Sequence, residues 1–189
     1  MNKLNTMDSK VYIFLADGFE EMEALVPLDV LRRADFEVET VSITDDIEVV
    51  GSHGLRVLCD TTIHLISQEI ADLLILPGGA PGADNLAGSE KLAKILTKQN
   101  ADGKWIAAIC AAPYILGQLD ILQGKQATCY PGYEHYLNGA EFVKQSVVVS
   151  QNIITGNGAG AAIKFAFKIV EELKGKRLAD FIAEKMQIV

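Results

Sequence analysis

One cysteine of this chain stands in a setting that suits a nucleophile. Cys110 follows the apolar run WIAAI, residues 105–109, and has small neighbours in the stretch AICAA. A sharp turn from a strand into a helix needs such neighbours and would project the sulfur over the edge of a sheet. The free N–H groups at the start of the following helix would favour thiolate over thiol. The alternative is that Cys110 is a small apolar residue packed in a strand.

Two other stretches carry groups that thiolate chemistry requires. The turn Pro77-Gly78-Gly79 ends another apolar strand, so the Gly79 N–H, together with the Ala111 N–H, could bind an oxyanion. The same glycines could also serve the turn alone. Glu23 lies near the start of a predicted helix, where acids are common. If it faces inward beside a thiolate, its pKa is raised and it can act as a general acid or base.

An alternation of strands and helices must position these residues. We expect strands over 10–16, 37–43, 71–79 and 105–109, a hairpin around 51–54, and short extended segments near 126–129, 142–143 and 146–155. We expect helices over 19–34, with a kink or break at Pro27, and over 89–101, 112–119, 161–175 and 176–186. Apolar strands separated by helices indicate an α/β protein with a mostly parallel sheet covered on both faces. Because ligands bind at the carboxyl ends of such strands, the turns at Asp17-Gly18, Pro77–Gly79 and Cys110 should converge.

Composition narrows the class of protein. We expect a leader over residues 1–9 and a single domain over 10–189. The net charge of −8 argues against a nucleic-acid partner, and no apolar run approaches the roughly 18 residues of a membrane span. The three cysteines are odd in number and lack C-x-x-C spacing, which favours free thiols in a reduced, cytoplasmic protein and no metal site.

Four stretches taken together, DGFEEMEA, LPGGAPGADNL, AAICAAP and GNGAG, resemble the ThiJ/PfpI family and its DJ-one branch, within the class I glutamine amidotransferase-like superfamily. The resemblance runs from Val11 to about Leu178. It implies a flavodoxin-like three-layer sandwich with a nucleophile elbow, a homodimer, and no metal or organic cofactor. It also implies that Cys110 is an oxidisable nucleophile, Glu23 its protonated neighbour, and Gly79 and Ala111 the backbone donors.

The activity implied by the resemblance is defence against reactive carbonyls and oxidative stress. The chemistry would be of the glyoxalase or deglycase type without glutathione, a lyase or hydrolase reaction on small reactive carbonyls or glycated amino groups. A non-catalytic redox sensor or chaperone that works through Cys110 oxidation is one alternative. An intracellular peptidase or amidase is another.

The chain departs from the family pattern in its histidines. Residue 111 is alanine where some relatives have histidine, and Tyr130 stands at a loop position where others have one. Amide hydrolysis then lacks an obvious proton donor, whereas carbonyl chemistry can use Glu23 alone. Tyr130, Tyr133 and Tyr136 form either a wall of the site or a packed loop. The remaining candidates for the pocket are Gly78, Tyr130, Arg33, His53 and His135.

Overall fold

The computed structural model describes residues 9–66 and 71–188. Its strands are β1 (Lys10–Leu15), β2 (Glu37–Ser42), β3 (Glu48–Val50), β4 (Arg56–Leu58), β5 (Thr61–Thr62), β6 (Leu73–Leu76), β7 (Trp105–Ile109), β8 (Gln126–Ala127), β9 (Glu141–Phe142), β10 (Val147–Ser150) and β11 (Ile153–Gly156). Its α-helices are α1 (Glu21–Arg33), α2 (Gly82–Ala87), α3 (Glu90–Ala101), α4 (Pro113–Gln118), α5 (Ala162–Lys174) and α6 (Lys176–Lys185).

Seven of these strands form one sheet, in the order β10-β11-β7-β6-β1-β2-β5. Every neighbouring pair is parallel except β10 and β11, which form an antiparallel hairpin at one edge. The predicted mostly parallel α/β sheet is therefore confirmed. The predicted hairpin around 51–54 is also present, as the antiparallel pair β3 and β4.

Helices cover both faces of the sheet, and the side chains of β1 show how. Val11, Ile13 and Leu15 lie in the apolar core shared with α1, α5 and α6. Tyr12 and Phe14 point to the opposite core, shared with α2, α3 and α4. Successive side chains of a strand point to opposite faces, so a strand that is apolar throughout has to be covered on both. The result is the three-layer sandwich that was expected.

The local differences from the predicted elements are small. Helix α1 runs through Pro27 without interruption. The short elements β5 and α2 were not predicted, and GNGAG leads into a 3-10 turn over Ala159–Ala161 before α5 begins. Of the expected leader, only Ser9 lies among the described residues, and its carbonyl accepts a hydrogen bond from the Glu37 N–H at 3.2 Å. Within the described residues, no helix is both long and apolar enough to cross a bilayer.

The turns after β1, β6 and β7 meet at one edge of the sheet, as expected. The Glu20 N–H donates to the Gly78 carbonyl at 3.0 Å, which joins the turn after β1 to the turn after β6. The Cys110 N–H donates to the Gly156 carbonyl at 2.9 Å, which joins the end of β7 to the end of β11. These bonds place the start of α1 and the Cys110 turn on either side of the Pro77–Gly79 turn.

Candidate active site

Cys110 occupies a tight, hydrogen-bonded turn at the end of β7. Its φ is +65°, in the left-handed region that residues other than glycine rarely adopt. Its N–H donates to Gly156, and its carbonyl accepts from the Tyr130 N–H at 2.7 Å. Ala111 and Ala112 are buried, and α4 begins directly afterwards at Pro113. This geometry matches a nucleophile elbow, in which small neighbours allow the chain to turn under the sulfur.

Glu23 is buried on the inner face of α1. The other buried positions of that face are Ala24, Pro27, Val30 and Leu31, so the carboxylate stands where a helix normally carries an apolar side chain. Its side chain is 0% exposed, whereas the preceding Met22 is 49% exposed. Met22 therefore points outward, away from the inner face of the helix.

The two carboxyl oxygens of Glu23 have different surroundings. Oε2 accepts a hydrogen bond from the Gly78 N–H at 2.8 Å. Oε1 is buried and has no hydrogen-bond partner of normal geometry among the described residues, although the carboxyl group lies close enough to the Cys110 thiol for each to change the other's pKa. A buried oxygen without a partner is costly when it is charged. Glu23 therefore holds an oxygen ready to accept or release a proton beside the sulfur.

Gly78 is in close contact with both the nucleophile and the acid. A Cβ added there would lie 2.8 Å from Cys110 Cβ, 2.9 Å from Glu23 Oε2 and 3.1 Å from the Ala111 nitrogen. All three distances are shorter than ordinary van der Waals contact, so a side chain at this position would push the nucleophile and the acid apart. The absence of a side chain at residue 78 is what allows β6, β7 and α1 to bring their functional groups together.

Burial dominates the proton affinities of the pair. The pKa of Glu23 is raised to about 7, chiefly by desolvation and also by the nearby Glu20, although the Gly78 N–H and the Cys110 thiol lower it. The pKa of Cys110 is raised to about 12, chiefly by desolvation and then by the charge and hydrogen bonding of Glu23, although the N–H groups of Ala111 and Gly79 lower it. The local argument from the helix N-terminus predicted the opposite direction for Cys110, because it left out burial and the carboxylate.

The interacting pair is best described by the number of protons that it holds. With two protons it is neutral, and it loses the first with an apparent pKa of about 7. The proton that remains can lie on sulfur or on the carboxyl group, and its transfer from sulfur to Glu23 creates the thiolate. The backbone N–H groups of Gly79 and Ala111 both interact with the sulfur and lower its pKa, and their role as oxyanion donors stays a prediction.

The other predicted pocket residues lie farther from this centre or have other partners. Tyr130 is 50% exposed, and its ring lies over Gly158. His135 is exposed and packs against the Tyr136 ring, with a centroid distance of 3.8 Å. Arg33 pairs with Asp29 at 2.8 Å on the exposed side of α1. It is ten residues along α1 from Glu23, about 15 Å at the helical rise per residue, so it does not belong to the group around Cys110.

His53, at the tip of the β3–β4 hairpin, is tied to the helix that carries Glu23. Its Nδ1 lies 2.7 Å from Glu21 Oε2, and its N–H donates to Glu21 Oε1 at 2.7 Å. The ligand atoms of Glu20, Glu21 and His53 lie within 4.8 Å of one another, a spacing that a metal ion could use. However, both oxygens of Glu21 already accept hydrogen bonds, and the positive end of the α1 dipole disfavours a cation there.

The other two thiols are buried away from solvent. Burial raises the pKa of Cys59 to about 11 and that of Cys129 to about 12. Cys110 is the one of the three with partial exposure, and none of the three forms a disulfide. The thiol that sequence analysis selected is therefore also the most accessible.

The structure connects Tyr133, which the sequence analysis left as either a wall of the site or a packed loop, to two residues that it did not single out, Tyr114 and Asp84. Tyr114 in α4 donates its hydroxyl hydrogen to Asp84 Oδ1 at 2.8 Å, and Tyr133 packs beside Tyr114 with a centroid distance of 5.9 Å. Asp84 lies on α2, a helix of six residues that was not predicted. The sequence signal available was the three-residue spacing of Tyr130, Tyr133 and Tyr136, which could not distinguish a wall of the site from a packed loop.

Comparisons with known proteins agree with this geometry. The family model described as "DJ-1/PfpI family" matches residues 9–172. The chain is 38% identical over 178 residues to "Protein DJ-1 homolog B" of Arabidopsis thaliana. This match covers 93% of this chain but only 41% of the plant protein, so the chain spans less than half of that relative's length. It is 35% identical to "Protein dj-1beta" of Drosophila melanogaster, over 96% of this chain and 98% of that protein.

A solved structure supports the same assignment. The structure titled "Toxoplasma gondii DJ-1, oxidized" has a TM-score of 0.91 and 37% identity, and the match covers 95% of this chain and 98% of that one. Because the family model spans most of the chain, and sequence relatives and a solved structure agree with it, this chain belongs to the DJ-1/PfpI family.

Proposed function

We propose that this chain is a cysteine-dependent protein of reactive-carbonyl and oxidative-stress defence, and that it converts α-oxoaldehydes to hydroxy acids without glutathione. Membership of the DJ-1/PfpI family supports a function related to the stress response. The observation that carries the specific chemistry is the buried Glu23 carboxyl group beside Cys110, with Oε1 unpartnered and Oε2 fixed by Gly78. This arrangement suits a base that must accept and return one proton several times.

The reaction begins with addition of sulfur to the aldehyde carbon. Glu23 accepts the thiol proton as Cys110 attacks, and the N–H groups of Gly79 and Ala111 bind the negatively charged oxygen that results. Glu23 then returns its proton to this oxygen. The product is a hemithioacetal, with Glu23 again a carboxylate.

The second stage moves hydrogen between adjacent carbons. Glu23 removes the proton from the carbon bound to sulfur, giving an enediolate, and returns it to the neighbouring carbon, while the hydroxyl proton passes to the second oxygen. The resulting thioester is hydrolysed by water, which releases the hydroxy acid and restores the thiol. For methylglyoxal the sum is methylglyoxal plus water to lactic acid, with no oxidant or reductant. Glycated amino groups derived from the same aldehydes are a second substrate class.

A methylglyoxal assay on matched variants tests the proposal. We expect wild-type protein to form lactate, Cys110→Ala to form none above background, and Glu23→Gln to lose most of the activity. Cys59→Ala is the matched control because it removes a buried thiol outside the site, and it should keep wild-type turnover. If wild type and Cys110→Ala form lactate at the same rate, the proposal is wrong.

Redox sensing is a second candidate function, and the differing exposure of the three thiols favours it. Cys110 is partly exposed while Cys59 and Cys129 are buried, so oxidation should be selective. A protonated Glu23 could donate a hydrogen bond to an oxidised sulfur. The Toxoplasma relative is titled as oxidized, which is consistent with oxidation in this family. Peptidase activity is less well supported, because none of the three histidines hydrogen-bonds to Cys110 and the leaving amine would lack a proton donor.

The proposed assembly is a homodimer in a reducing, cytoplasmic compartment. Met22, Ile47, Leu55 and Leu58, at the start of α1 and around the β3–β4 hairpin, are all exposed, Leu58 by 68%. Exposed apolar groups of this kind are often covered by a partner surface. Three free thiols suit a reducing compartment. Sedimentation of the wild type and of Leu58→Lys tests this dimer. If the two proteins have the same molecular mass in solution, the surface around Leu58 is not the dimer interface.

A further inference from the structure

A cluster of three tyrosines lies next to the Cys110 elbow. The rings of Tyr114, Tyr133 and Tyr136 are separated by centroid distances of 5.9 to 6.1 Å. Tyr114 is buried and its hydroxyl is committed to Asp84 at 2.8 Å. Tyr136 is exposed and carries His135 on its ring. Tyr133 lies between these extremes: it is half-buried, within the loop that follows Cys129.

Tyr133 is held against the nucleophile through the backbone. Its N–H donates to the Tyr130 carbonyl at 3.1 Å, and the Tyr130 N–H donates to the Cys110 carbonyl at 2.7 Å. Its side chain packs against the apolar core that contains Ala111 and Ala112, the residues of the elbow itself. Only two hydrogen bonds therefore separate the backbone of Tyr133 from that of Cys110.

The Tyr133 hydroxyl is uncommitted, unlike that of Tyr114. It makes no hydrogen bond to any other residue within 9–66 or 71–188. Burial raises its pKa, as do the charges of Asp84, Cys110 and Tyr136, so it stays protonated and can donate at neutral pH. A half-buried donor without a partner, beside a nucleophile, is available to a ligand.

In the proposed reaction, the second carbonyl oxygen of the substrate is not stabilised by Gly79, Ala111 or Glu23. Gly79 and Ala111 serve the oxygen on the carbon attacked by sulfur, and Glu23 serves the migrating hydrogen. The second carbonyl oxygen gains negative charge in the enediolate, and the histidine that could have faced it is absent. We propose that the Tyr133 hydroxyl donates a hydrogen bond to this second oxygen and so makes the site selective for vicinal dicarbonyl compounds. This inference rests on the proposed function.

Tyr133→Phe tests the inference, because it removes the hydroxyl and keeps the ring in its cluster. Tyr136→Phe is the matched control, since it removes a hydroxyl from the exposed member of the same cluster. We expect Tyr133→Phe to lower kcat for methylglyoxal by about a hundredfold to a thousandfold, as for loss of one oxyanion donor, with little change in the rate at which iodoacetamide alkylates Cys110. We expect Tyr136→Phe to match wild type in both measurements.

A simple aldehyde separates an effect on the second oxygen from an effect on the thiol. Acetaldehyde adds to a thiol but has no second carbonyl, so its inhibition constant against wild type and Tyr133→Phe should be the same. Wild-type kcat in Tyr133→Phe, equal losses in the two tyrosine variants, or weaker acetaldehyde inhibition in Tyr133→Phe would each overturn the inference. Wild-type protein without any Cys110-dependent turnover would instead overturn the proposed function, and this inference with it.

Discussion

The carboxyl group of Glu23 and the side chain of Cys110 meet across Gly78, whose N–H donates to Glu23 Oε2 at 2.8 Å and whose missing Cβ would lie 2.8 Å from Cys110 Cβ. One residue from helix α1 and one from the end of β7 are thus brought together by a residue from the end of β6.

Gly78→Ala should separate the nucleophile from the acid. The added methyl group would press on Cys110 Cβ and Glu23 Oε2, and we expect Cys110-dependent turnover to fall at least about tenfold, with a loss of about 1 to 3 kcal/mol in the free energy of unfolding. Gly160→Ala is the control, because a Cβ there meets nothing within 4 Å. Turnover is to be measured where both variants keep wild-type circular dichroism, and wild-type turnover in Gly78→Ala would contradict the geometry.

The reactivity of Cys110 should rise through about pH 7 because the pair loses its first proton there. Iodoacetamide alkylation, followed by mass spectrometry on the Cys110 peptide, measures this. In Glu23→Gln the step near pH 7 should disappear, leaving only a rise at high pH as the thiol itself ionises. If the step remained unchanged in Glu23→Gln, the titrating group would not be Glu23.

Glu23 should make the protein less stable as the pH rises. Its pKa is about 7 in the folded chain against 4.5 when exposed, so between these values the unfolded chain has lost a proton that the folded chain retains. The free energy of unfolding therefore falls with rising pH, by about 3 kcal/mol over the whole interval, and below pH 4.5 the penalty is absent.

Urea unfolding of wild type and Glu23→Gln measures this penalty. Between about pH 5.5 and 8, the stability of Glu23→Gln relative to wild type should increase by about 2 kcal/mol, because glutamine cannot ionise. The comparison depends only on the change with pH, so a constant difference between the variants does not affect it. A difference that stays the same across this range would show that Glu23 has an ordinary pKa.

Mild peroxide should oxidise Cys110 before the other two thiols. Cys59 and Cys129 are buried, whereas Cys110 is partly exposed and can pass its proton to Glu23. Peptide mapping after treatment should locate a gain of two oxygen atoms on Cys110. The peptide that contains residue 110 in Cys110→Ala should gain none at the same dose. Oxidation of all three cysteines to the same extent would count against selective sensing.

The main elements and the turn at Cys110 could be predicted from local patterns, whereas Glu23 was singled out by the family resemblance, because acids are common at helix starts. Apolar strands that alternate with helices indicated the parallel sheet, and the small neighbours of Cys110 indicated the turn beneath it. The proton affinity of Cys110 could not be predicted in this way, because it depends on burial by elements distant in the chain and on a carboxylate 87 positions earlier. The place of Tyr133 was equally hidden, since it follows from the hydrogen bond between the Tyr130 N–H and the Cys110 carbonyl.

The backbone of Cys110 is hydrogen-bonded on both sides, to Gly156 through its N–H and to Tyr130 through its carbonyl, at a φ of +65°. Such a conformation costs of the order of 1 to 3 kcal/mol, and these bonds hold it in place. Only rotation about the Cα–Cβ bond remains free to move the sulfur. The chemistry at Cys110 therefore depends on whether the proton shared with Glu23 lies on the sulfur or on the carboxyl group. A solvent isotope effect, measured by comparing turnover in heavy and ordinary water, would show whether transfer of this proton limits the rate.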